Sequence, residues 1–183
     1  DVYKRQNQPT AWPDLGEIRH EFYRLAETGR MTPPQWHFAG PTRPAEELYD
    51  CRNDPQNLHN LIGSKEHRKV LQRMREKLNG HLRETRDLGF LPEFEAWQAF
   101  AGSSGWAVGQ SGSIDLEAIR TAASAVGLAG EKTLLANLGS ANPLIRYWGT
   151  IGLGALSSKP SKASLRALET VSYTHLTLPT NGL

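Results

Sequence analysis

Residues 44–61 read PAEELYDCRNDPQNLHNL. Leu48 and Tyr49 sit in a short run whose alternate side chains can face opposite ways, so residues 46–50 are expected to form a short strand of a small sheet. Asn53, Asp54 and Pro55 follow as a turn, because a short carboxylate accepts nearby backbone N–H groups and proline presets the φ of a first helical turn. From there a helical turn is expected through Leu58, Leu61 and Ile62, with Leu58 and Leu61 burying its inner side and Gly63 closing it.

Downstream, Ser64 is the expected cap of a long helix over 64–85, whose apolar face is Leu71, Met74, Leu78 and Leu82 at spacings of three, four and four. Its other face carries many Lys and Arg against fewer Glu and Asp. A solvated helix face accounts for that pattern, and a landing strip for an anionic polymer is the alternative. Upstream, Leu15, Ile18, Phe22 and Leu25 mark one face of a helix over 13–28 that Gly29 ends. A second short helix is expected from Thr32, as N-cap, through Trp36 and Phe38 to the stop at Gly40 and Pro41. Residues 41–44 read as an extended approach to the strand.

Beyond an aromatic, helix-prone segment at 91–100 the composition turns to Gly and Ser over 101–113, which reads as a linker and the main domain boundary. After it come three Ala-, Leu- and Gly-rich helical segments near 114–126, 131–138 and 143–156, and a fourth from Ser161. The expected fold class is therefore mainly α with a small β element, followed by a helical repeat segment.

The chain has 183 residues, 38% hydrophobic and 22% charged, which is ordinary for a globular protein. No apolar run reaches the roughly 18 residues of a membrane helix, and no membrane partner is expected. Cys51 is the single cysteine, which excludes an internal disulfide framework and a multi-cysteine zinc site. Both ends have a second explanation. DVYKRQ at 1–6 is the translation of GAT GTG TAT AAG AGA CAG, which resembles a transposase adapter used in preparing DNA libraries. VSYTHL at 171–176 translates that adapter's reverse complement, and Thr177, Leu178, Pro179 and Thr180 match its continuation. Residues 1–6 and 171–183 are therefore set aside as scars, and the chain is expected to be a truncated, metagenomic-type fragment of a longer frame. Without Asp1, Lys4 and Arg5 the balance is 19 basic to 18 acidic residues, a net charge of +1 that gives no reason to expect nucleic acid.

The stretch 44–61 closely resembles the motif E-L-Y-D-L-x-x-D-P-x-E-x-x-N-L near the carboxyl end of the sulfatase family. Glu47, Leu48, Tyr49, Asp50, Asp54, Pro55, Asn60 and Leu61 match it, whereas Cys51 replaces the usual Leu and Asn57 the usual Glu. The approach over 32–44, the long helix and TRDLGFLPE at 85–93 are also similar to what surrounds the motif in bacterial sulfatases, so the resemblance covers about residues 11–96. It implies that 7–100 is a fragment of a sulfatase carboxyl-terminal subdomain in which the eight matching residues are architectural. It also implies a parent that hydrolyses sulfate esters with a formylglycine nucleophile beside calcium, on a sulfated small molecule or saccharide, in the periplasm or outside the cell. Separately, LLANLGSANPLIRYWGTIGLG at 134–154 is similar to a HEAT-type repeat, with a turn at Asn142 and Pro143 and a second helix bearing Arg146. That resemblance implies a truncated HEAT-like segment over 114–170, in which Gly149, Gly152 and Gly154 permit close helix contact and Arg146 bridges back to the turn.

The formylglycine motif C/S-x-P-x-R is absent: Cys51 is followed by Arg52, Asn53 and Asp54, so it is not the nucleophile and no catalytic residue is expected here. Phosphate loops, H-E-x-x-H helices and G-x-S-x-G elbows are absent too. No metal ligand is assigned, and no cofactor is expected in the fragment, calcium being implied for the parent alone. His37 and Arg43 flank the loop entering the expected strand and are the candidates for contact with substrate. Two readings thus stand side by side: an inactive piece of a sulfatase whose partner is the missing amino-terminal catalytic domain, or a non-catalytic helical adaptor that binds a protein through its repeats.

Overall fold

The computed structural model describes residues 15–39, 44–156 and 161–170. Both adapter-like ends lie outside the described residues, as does Arg43. Among the described residues the chain is mainly helical, with nine helices: α1 Glu17–Glu27, α2 Pro33–Ala39, α3 Arg68–Glu84, α4 Glu93–Phe100, α5 Gly105–Ser111, α6 Leu116–Ser124, α7 Glu131–Leu138, α8 Pro143–Gly154 and α9 Lys162–Thr170. It divides into two units between Leu78 and Asn79, within α3.

In the first unit, α1 ends in Thr28 and a left-handed Gly29 at φ +63°, as the glycine led one to expect. Thr32 precedes α2, and the Gln35 side chain accepts from the Thr32 backbone N–H (2.9 Å) and hydroxyl (2.8 Å), the reciprocal half of a capping box. The expected strand at 46–50 does not form. Its place is taken by a loop closed on one side chain: Leu48 N–H donates to Asn60 Oδ1 (3.0 Å) while Asn60 Nδ2 donates to the Glu46 carbonyl (3.3 Å). An asparagine amide offers the same donor and acceptor pair as a peptide group, so this segment is satisfied without a partner strand. The helical turn expected after Pro55 is also absent. Asn57 adopts φ +54°, a left-handed conformation that interrupts a helix and that asparagine tolerates better than glutamate does. Ser64 does not begin α3 directly; it accepts from His67 N–H (3.4 Å) one turn before the helix starts.

The second unit holds most of the buried apolar side chains. Leu134, Leu138 and Leu153 form its centre, with Ala125, Ala129, Leu135, Leu156, Ala167 and Leu168 packed around them. α8 lies directly on α7. A Cβ at Gly149 would come 2.6 Å from the Leu138 nitrogen, and one at Gly152 would collide with the Leu134 side chain. Both glycines therefore permit the close approach expected of them, whereas Gly154 faces open space and does not. Asn142 caps α8 through Leu144 N–H (2.9 Å), with Pro143 in the first turn. α9 is tied down by Glu131 at the start of α7, which accepts from Ser161 N–H (2.8 Å) and from the fully buried Ser164 hydroxyl.

The stretch 101–113, expected as a linker, contains α5. Ser104 caps it through Ala107 N–H (3.2 Å), Gly112 ends it in the left-handed region at φ +72°, and the Arg86 guanidinium donates to the Gly109 carbonyl near its far end. Here Gly and Ser are helix punctuation, and the final element of the cap arrives from 23 residues away. Arg86 itself sits at φ +49°, one residue beyond the C-cap of α3. Its N–H donates to the Arg83 carbonyl (3.2 Å) and Asp87 N–H to the Leu82 carbonyl (3.1 Å), the pairing that closes a helix at a position where glycine is usual.

Candidate functional site

The eight motif residues singled out by the sequence lie in the loop 44–64. Leu48 is its buried anchor, and Leu61 N–H donates to the Leu48 carbonyl (2.7 Å) across the loop. Asn60 Oδ1 accepts a second bond from Ile62 N–H (3.1 Å), so one amide joins Glu46, Leu48 and Ile62. Arg75 on α3 clasps the Glu46 carboxylate with two nitrogens, one at 2.9 Å. That geometry suits a guanidinium–carboxylate pair.

Both aspartates of the motif are directed at the loop's own backbone. Asp50 accepts from the Asn53 side-chain amide (2.7 Å) and from Arg52 N–H (3.1 Å), and these donors hold its carboxyl below the usual range. Asp54 accepts from His59 N–H (2.7 Å); that bond, with a second from Leu58 N–H, lowers its carboxyl too. Carboxylates turned inward in this way are not convergent oxygen ligands, and calcium takes six to eight. Among the described residues no three of His, Cys, Asp and Glu stand together as a metal site. The exposed Cys51 thiol donates to Asn57 Oδ1 (3.5 Å), joining the two positions that depart from the motif.

Of the two substrate-side candidates, His37 is described. Its Nε2 lies 3.2 Å from Tyr49 Oη, with the two rings edge to face at 87°. This contact links α2 to the motif loop, and neither residue's place in the chain announced it. In the second unit, Arg146 Nη1 donates to the carbonyls of Ser140 (2.9 Å) and Ala141 (2.8 Å), which occupies it with the turn ahead of Pro143.

A cleft of about 570 Å³ opens between the end of α3 and the start of α6, lined by Arg83, Arg86, Asp87, Ser113, Glu117 and Arg120 among others. Glu117 is bracketed by Arg120 (2.5 Å) and Arg83 (3.3 Å), which lower its carboxyl in that order, and the buried Arg120 also donates to Asn79 Oδ1 (2.6 Å). The sequence carried no signal of this network, because Arg83 and Glu117 are 34 residues apart and Asn79 and Arg120 are 41 apart. Arg83 and Arg120 share the one Glu117 carboxylate and Arg86 is held by the Gly109 carbonyl, so the network is an internal tie between α3 and α6.

Over 75 residues the chain is 35% identical to an ulvan-active sulfatase of Formosa agariphila. The match takes in 41% of this chain and 13% of that protein's length. No protein-family model matches the chain. No solved structure matches it either. Part of the chain is thus related to a sulfatase, and that part is a small share of the relative.

Proposed function

We propose that this chain is a carboxyl-terminal piece of a sulfatase, and that its role is architectural. The parent protein hydrolyses sulfate esters with a formylglycine nucleophile and calcium supplied by its amino-terminal catalytic domain, acting on a sulfated saccharide or small molecule. The observation that carries this reading is the partial identity to a sulfatase, together with the eight motif residues of the loop 44–64. Each motif carboxylate and amide whose partners are described above is spent on closing the loop, as a scaffold requires. His37 and Arg43 are the substrate-side residues in this reading, His37 standing on α2 against Tyr49. The helices 114–170 form a HEAT-like extension.

The test is to recover the source DNA outward without transposase adapters and to express the extended frame. An upstream C/S-x-P-x-R motif is expected, with calcium-dependent release of sulfate from an aryl sulfate or a sulfated saccharide by the extended protein and none by the 183-residue chain alone. Sulfate release by the short chain at the rate of the extended one, or an extended frame without the motif, overturns the proposal. In the extended enzyme His37→Ala is expected to raise KM with little change in kcat. Tyr49→Phe, which deletes the hydroxyl His37 touches, tells a direct contact from an effect on the loop: it should leave KM unchanged if His37 meets substrate itself.

A further inference from the structure

Val70, Met74 and Leu78 recur at every fourth residue of α3 and all three are exposed, Met74 by 53% and Leu78 by 59%. Lys69, Arg73 and Lys77 each precede one of them, and so form a second row set about 100° further round the helix. With a rise of 1.5 Å per residue, successive members of each row lie about 6 Å apart. None of the three cations makes an ion pair or hydrogen bond with another described residue, whereas Arg75, on a different face of the helix, is held by Glu46. Two turns of helix thus present an apolar row and, flanking it, a row of three cations without ion pairs among the described residues, against the two carboxylates Glu66 and Glu76.

The pairing of rows discriminates between occupants. A plain polyanion would use the cations and leave the apolar row wet. A second copy of the same face would set cations against cations. An anionic bilayer calls for a broader apolar face than three side chains. We propose that this face of α3 docks a helical segment of a protein, one that carries apolar residues at four-residue spacing beside a row of Asp or Glu. The proposal stands independently of the sulfatase reading.

The full chain should be titrated with a fluorescent synthetic helix that has Leu at every fourth position and Glu in the neighbouring row. Saturable binding that weakens with salt is expected, reduced by about tenfold or more in M74D and in the charge-reversed K69E/R73E/K77E. A peptide with Lys in place of Glu should ignore the original chain and bind the charge-reversed variant. These side chains are exposed, so an unchanged circular dichroism spectrum is expected of both variants. Equal binding of a scrambled peptide of the same composition overturns the proposal. So does tighter binding of dextran sulfate or phosphatidylserine vesicles that M74D leaves unaltered, since it would mark the face as a site for a polyanion or a membrane.

Discussion

Asn60 carries more of the loop than any neighbour, because a single amide closes three backbone groups that a strand pairing would otherwise satisfy. Asn60→Ala leaves those groups unpartnered in a half-buried setting and is expected to cost about 1–3 kcal/mol in urea unfolding. Asn60→Asp keeps both acceptor contacts and loses only the donor to Glu46, so it should cost less. Asp54 adds a pH dependence. Its folded carboxyl is lowered by the N–H groups of His59 and Leu58, so its stabilisation is fully present above the unfolded value near ~4 and is lost as pH falls through the lowered folded value. The Tm of the original chain should therefore drop more steeply below about pH 4 than that of Asp54→Asn, measured side by side. The sequence announced Asp54 and Pro55 as a turn because their effects are local. It did not announce that Asn60 would stand in for a strand, since that depends on reaching residues 12 and 14 positions earlier.

Helices were legible wherever their signals lie within a few residues. The apolar spacings of α1 and α3, the Thr32 cap, and Asn142 with Pro143 all mark elements that form. The helical turn after Pro55 fails locally, at the left-handed Asn57, but the other two misreadings, the strand at 46–50 and the linker at 101–113, share one physical cause, which is that the deciding contact comes from elsewhere in the chain. α5 was hidden inside a glycine- and serine-rich stretch because part of its cap is the Arg86 side chain. The glycines of α8 make the same contrast testable. Gly149→Ala would place a methyl group against the rigid backbone of α7, and the strain is expected to exceed the gain in helix propensity, for a net loss of about 1–3 kcal/mol. Gly154→Ala meets nothing and should be neutral or stabilising by up to about 1 kcal/mol. Thermal melts of the two variants, read together, check the packing of α8 on α7.

On the scale of the whole molecule, the buried apolar side chains are unevenly shared. Among the described residues Leu48 is the one in the first unit, whereas Leu91, Ile119, Ala122, Val126, Leu134, Leu138, Trp148 and Leu153 belong to the second. Opening free energy follows buried apolar contact, so native-state hydrogen exchange should find the amides of α7 and α8 protected most and those of α1 least. Equal protection in α1 and α8 would contradict this. The site residues were partly legible for the same reason as the fold. The motif could be read because its residues are contiguous, but the Arg83–Glu117–Arg120–Asn79 tie could not, being assembled by tertiary packing alone.

Cys51, exposed at the tip of the loop that Asn60 closes, is the one thiol in the chain. It is therefore a ready attachment point: a maleimide dye reacts there and nowhere else, with no cysteine to remove first. A fluorophore so placed reports on that loop, and once Trp12, Trp36, Trp97 and Trp106 are replaced by Phe, Trp148 next to Gly149 reports on α8, so a single sample followed at two wavelengths can show which of the two parts lets go first.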